Sequence, residues 1–236
     1  MSNFVLVHGG WRGGWIWKTV ARQLRKEGND VYTPTLTGLA DRKHLLHSDI
    51  NLSTHIQEIV NLIGYEELND VVLCGHSYAG MVISGVADRM CANISSLVYL
   101  DAWYPKDGDS IMTLSPEAYQ LMHIRDAGQH GGIACSPIPA AMLHVNEKDR
   151  AWVDAMSTPH PLATMTEAIQ LQGNHLNVTK KTYALASSWA PNPFEQFYQQ
   201  LRRDPAWITR TIESGHDAML DNPESVANLL RTATSI

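Results

Sequence analysis

Short, continuous apolar runs alternate along the chain with longer stretches in which apolar residues recur every three or four positions. The runs Phe4–Val7, Asp30–Leu36, Val71–Cys74, Leu97–Leu100, Lys181–Ala186 and Ile208–Glu213 are rich in Val, Leu, Ile and Tyr. Continuous rather than alternating apolar character suits strands of a parallel sheet covered on both faces. Helices are predicted between them at Trp17–Glu27, stopped by Gly28, at Ser53–Ile63, with Ser53 or Thr54 as N-cap, and at Ala79–Met90. Two more, Pro193–Arg203 and Pro223–Arg231, begin on a proline, whose missing N–H costs little in a first turn. Strand–helix alternation of this kind predicts a doubly wound α/β sheet.

The rhythm breaks between Tyr104 and Val178. Six prolines (Pro105, Pro116, Pro137, Pro139, Pro159, Pro161) and Gly128, Gly131 and Gly132 interrupt it. Helical patches remain at Pro116–Met122, Lys148–Met156 and Leu162–Leu171, with no convincing strand. The expected organisation is therefore a core of residues 1–103 and 179–236, with a helical cap of residues 104–178 over the sheet's C-terminal edge.

Composition narrows the function. Eighteen basic against 24 acidic residues give a net charge of −6, and the one basic pair, Arg202-Arg203, is followed by Asp204. A nucleic-acid or anionic-membrane partner is not expected. No run reaches the roughly 18 apolar residues of a membrane span, and the first residues lack a signal-peptide pattern, so a cytoplasmic location is expected. Cys74, Cys91 and Cys135 are odd in number and widely spaced, as free thiols are. No histidine pair has metal-site spacing, and no phosphate-cradling glycine motif is complete. Neither metal nor cofactor is expected.

The strongest chemical signal is Val71-Val72-Leu73-Cys74-Gly75-His76-Ser77-Tyr78-Ala79-Gly80. An apolar strand runs into Gly-x-Ser-x-Ala-Gly and then a helix. A nucleophile held on so tight a corner needs small neighbours, and Ala79 in place of the usual glycine is a mild departure. Ser77 needs a base, and His216, in Gly215-His216-Asp217 after the last strand, lies in the expected chain order. An oxyanion hole requires two N–H groups. Tyr78, after the nucleophile, supplies one, and Gly10, in the loop His8-Gly9-Gly10-Trp11-Arg12-Gly13-Gly14-Trp15, is assigned the other, with Trp11 as its neighbouring alternative. Gly9, Trp11 and Trp103 are expected substrate contacts. Among the other histidines, His76 is assigned a packing or hydrogen-bonding role, and His44, His47, His55 and His175 are expected on the surface or in the cap.

His8 to Trp17, Gly75 to Gly80 and Gly215 to Leu220 together resemble the plant methylesterase and hydroxynitrile-lyase group of α/β-hydrolases and their bacterial carboxylesterase relatives. The resemblance covers the sheet-forming ends of the chain and is weak in the cap. It implies an α/β-hydrolase fold with about six mostly parallel strands flanked by helices. The lyase members carry a lysine after the histidine and a threonine in the first loop. Here Asp217 and Gly9 stand at those places, which favours hydrolysis. The group also places its acid just after the penultimate strand, where Ser187-Ser188-Trp189-Ala190-Pro191-Asn192 offers no carboxylate. Asp101, ending the strand after the nucleophile helix, is the expected acid. Such an aspartate is costly to bury without a partner, and the histidine N–H is one. Asp217 is a weaker candidate, adjacent to the base and pointing away, and a Ser–His dyad without acid is the remaining option.

The expected activity is a serine carboxylesterase forming an acyl-enzyme on a small hydrophobic ester, aromatic esters included, as monomer or homodimer. The alternatives are a lactonase, lyase or cofactor-free oxygenase chemistry on the same fold, and a ligand-binding receptor with little turnover. Trp15, Met112, Met122, Met142 and Met165 are further pocket candidates, at least half of this aromatic and Met set being core.

Overall fold

The computed structural model describes residues 1–234. Its strands and helices are β1 (Asn3–Val7), α1 (Lys18–Lys26), β2 (Asp30–Tyr32), α2 (Leu52–Tyr65), β3 (Val71–His76), α3 (Ala79–Arg89), β4 (Ile94–Leu100), α4 (Ile111–Leu114), α5 (Glu117–Ala127), β5 (Ala134–Cys135), α6 (Glu147–Met156), β6 (His160–Pro161), α7 (Ala163–Thr166), β7 (Lys180–Ala186), α8 (Glu195–Leu201), β8 (Trp207–Ile212), α9 (Ala218–Asp221) and α10 (Pro223–Thr234). Among the described residues six strands form one sheet, ordered β2-β1-β3-β4-β7-β8, with every neighbouring pair parallel.

The continuous apolar runs have a simple cause. Side chains alternate across a strand, and both faces of this sheet are covered. Phe4, Leu6, Val72, Cys74, Val98 and Leu100 pack with Val20, Leu24, Val226 and Leu230 of α1 and α10. Val5, Val7, Leu73, Leu97 and Tyr99 pack on the other face with Ile56, Ile59, Val82 and Val86 of α2 and α3. Edge strand β8 is the exception, with Ile208 and Arg210 exposed.

Local signals mark the helix ends. α1 stops before Gly28, whose φ of +83° the lone hydrogen on its Cα permits. α2 begins earlier than predicted. Asn51 accepts from the Thr54 N–H and completes a capping box, and this lets Leu52 bury.

Residues 104–178 hold short helices and one feature absent from the sequence pattern: β5 and β6 pair antiparallel. Two-residue strands carry no periodicity to read. The helix expected over Leu162–Leu171 shrinks to α7, because Ile169 exchanges backbone hydrogen bonds with Gly108 and Asp109 instead of continuing a helical ladder. Among the described residues no helix is long and apolar enough to cross a membrane.

Candidate active site

β3 ends on His76, and the chain turns at once into α3. Ser77 sits on that corner with φ +54°, an unfavourable value for a non-glycine residue. A Cβ on Gly75 would lie 2.6 Å from the Ala79 carbonyl oxygen, and one on Gly80 would lie 1.9 Å from that of Trp103. The small residues are therefore required by close backbone approach on both sides of the serine.

Asp101 follows β4, with φ +43° and no exposed surface. Its Oδ2 accepts from His216 Nδ1 at 2.7 Å and from the Trp189 indole N–H at 3.0 Å. Its Oδ1 accepts from the Ala186 N–H at 3.0 Å and the Asn192 amide at 2.9 Å. Four donors replace the water a buried carboxylate loses. The stretch that lacks a carboxylate thus contributes Trp189 and Asn192 as donors to one, roles that the sequence pattern did not reveal.

His216 follows β8. Its backbone N–H donates to the Leu143 carbonyl, and its ring stacks on Phe194 (5.4 Å, 12°) and contacts Trp189 and His76. With Nδ1–H directed at Asp101, Nε2 is the free lone pair. Ser77 and His216 line the same cavity, of about 520 Å³ including its mouth, along with Gly10, Trp11, Tyr78 and Trp103. Met165 also lines it. Gly9 does not; it lies behind Ser77, where an added Cβ would come within 2.8 Å of the Ser77 Cβ and of His76 Nδ1. Met122 and Met142 point to solvent, and Trp15 packs edge-on against Trp152.

All three polar groups of Trp11 are held by residues 135–160. Its N–H donates to His160 Nδ1, its indole N–H to the Cys135 carbonyl, and its carbonyl accepts from the Thr158 N–H. This clamp maintains its φ of +63°. Arg12 is buried beside it, pairing with Asp217 Oδ2 at 2.9 Å and donating to Ser157 Oγ. Arg12 holds the Asp217 carboxyl below the usual range against the opposing effect of its burial. The Asp217 carboxylate is thus paired with Arg12, whereas Asp101 pairs with His216.

His8, His76, His55 and His160, near the site, are buried and neutral. His8 accepts from the Leu36 N–H through Nε2, and burial pulls its pKa down to about 4. His76 donates from Nε2 to the His216 carbonyl, leaving Nδ1 without a partner among the described residues; burial and the nearby His216 pull it down to about 3. His55, expected on the surface, bridges the Tyr78 hydroxyl and the Thr37 carbonyl with no exposed area. His160 is lowered by the same desolvation. His175, within residues 104–178, is buried against Asp88, while His44 and His47 are exposed.

A model of the alpha/beta hydrolase family matches residues 4–229. A carbendazim hydrolyzing esterase from Nocardioides sp. (strain SG-4G) is 43% identical over 98% of both chains. Methylesterase 10 from Arabidopsis thaliana is 30% identical over 98% of this chain and 91% of its own. In structure, an extracellular alpha/beta-hydrolase from a Paenibacillus species superposes with a TM-score of 0.88 at 22% identity, covering 100% of both chains.

Proposed function

Because the chain belongs to the alpha/beta hydrolase family and is a carboxylic ester hydrolase, we propose that Ser77, His216 and Asp101 are the triad through which it acts. His216 Nε2 takes the Ser77 proton, Ser77 Oγ attacks the ester carbonyl, and Asp101 keeps the imidazole in its productive tautomer. The oxyanion falls to the N–H groups of Tyr78 and Gly10. The Trp11 N–H, the other candidate in that loop, is already donated to His160. His216 returns its proton to the leaving alcohol, and water repeats the sequence to free the acid. The observation that carries this reading is the 2.7 Å contact between His216 and a carboxylate with no exposed surface. Residues 104–178 serve as the cap, supplying Leu143 and Met165 to a cavity suited to a small aromatic ester.

The test is covalent and kinetic. A fluorophosphonate should add its phosphonyl group to Ser77 in the wild type and fail to label Ser77→Ala. Aryl, alkyl and lactone substrates, and carbendazim, should be turned over repeatedly only by the wild type. Labelling at another residue, or equal turnover by Ser77→Ala, removes the serine from the mechanism.

A further inference from the structure

The cavity is not uniformly apolar. Trp103, Trp189, Phe194, Ile138 and Met165 are among its apolar lining, and none of its lining residues is Lys, Arg, Asp or Glu. On the cap side, however, it receives Ser115, from the turn entering α5, and Tyr119 and His123, one helical turn apart on that helix. Ser115 is 8% and His123 5% exposed. None of the three side chains has a hydrogen-bond partner among the described residues; the bond His123 does make is through its carbonyl, to Cys135 Sγ. All three line the cavity, where a purely hydrocarbon ligand would leave these polar side chains unpartnered at a cost.

The placement is fixed from behind. His123 stacks on Trp11 at 5.8 Å and 26°, and Trp11 is held through its three polar groups. Asp126 on the next turn of α5 accepts from the Ser136 N–H, tying the helix to the residue that follows β5. Burial lowers the His123 pKa, so its imidazole is neutral and offers one donor and one acceptor. A hydroxyl on either side of it can act in both senses.

We propose that Ser115, Tyr119 and His123 form a polar subsite selecting neutral aromatic esters that carry a hydrogen-bonding group on the ring, over hydrocarbon esters of the same size. The inference rests on the esterase reading of this cavity and adds its substrate class. The absence of any charged lining residue excludes a carboxylate or ammonium on that ring from favourable binding.

Binding separates the two claims. In a Ser77→Ala background, quenching of the cavity tryptophans reports the Kd of methyl 3- and 4-hydroxybenzoate and of the matching methyl 3- and 4-methylbenzoates. The ratio of Kd values within one pair should move by about fivefold against the hydroxy ester when His123→Phe and Tyr119→Phe are combined. His123→Gln, which keeps a donor and an acceptor, should restore it. Tyr119→Phe alone alters a half-buried side chain on the cap, so it tests the subsite without endangering the fold. A ratio unchanged within about twofold for both pairs overturns the subsite. Wild-type turnover of the same esters is read separately. Binding selectivity without turnover refutes the esterase mechanism and leaves the subsite intact; turnover without selectivity does the reverse.

Discussion

Buried neutral imidazoles make the protein's stability depend on pH well above the range where carboxylates titrate. An unfolded histidine has a pKa near 6.5, whereas His8 is held near 4 and His76 near 3 in the fold. Below pH 6.5 the unfolded chain therefore takes up protons that the folded chain refuses. Stability is fully present above that value and falls as pH drops toward the folded pKa values. Protonating His8 would break the bond from the Leu36 N–H, and protonating His76 would place an N–H with no acceptor against Gly9. Each group costs about 1.4 kcal/mol per pH unit, so moving from pH 7.5 to 5.0 removes about 2 kcal/mol for each and about 4 kcal/mol together. His55 and His160 act in the same direction. Against a total of about 5–15 kcal/mol the loss is large. With a urea m-value of about 3 kcal/mol/M, the unfolding midpoint should shift by about 1.3 M. The assay is urea unfolding, followed by tryptophan fluorescence at both pH values, for the wild type and His76→Gln. The glutamine can still donate to the His216 carbonyl but cannot titrate, so its loss should be smaller by about 2 kcal/mol. A wild-type midpoint that is flat over this interval, or an equal loss in the variant, would refute the reasoning.

Other predictions concern the catalytic machinery and its support. Asp101→Asn should lower kcat by about 10⁴-fold with unchanged circular dichroism, because the amide favours the wrong histidine tautomer. Asn192→Leu, which removes one of the four donors to that carboxylate, should lower melting stability by about 1–3 kcal/mol and reduce kcat more than it raises KM. Arg12→Met leaves Asp217 buried without its counter-charge and should cost about 3–5 kcal/mol in denaturant unfolding. Gly80→Ala drives a methyl into the Trp103 carbonyl, so soluble yield and activity should fall together, whereas Gly64→Ala, where an added Cβ meets nothing within 4 Å, should not harm either.

Most of the core was legible because a sheet covered on both faces demands apolar residues at successive positions. Apolar runs at β1, β3, β4 and β7 mark strands buried on both faces, and the Gly75–Gly80 spacing marks a corner that only small residues permit. Asp101 was reachable because an aspartate closing a buried strand demands a partner. Its other donors were not, since Trp189 and Asn192 act through a turn whose geometry no local pattern encodes. The ribbon of β5 and β6 escaped notice because each strand spans two residues and one of them is Pro161. His55 was misplaced for a related reason: a histidine's burial depends on partners distant in the chain, here Tyr78.

The proposed acid, just after β4, bears on how kindred chains are screened. A motif filter that insists on aspartate downstream of β7 would discard this one as a degenerate copy. A better diagnostic pairs Asp101 with an indole and an amide in the later turn, since those groups solvate a buried carboxylate from within the protein. Genomes searched with that composite pattern should yield working hydrolases among sequences otherwise set aside as inactive.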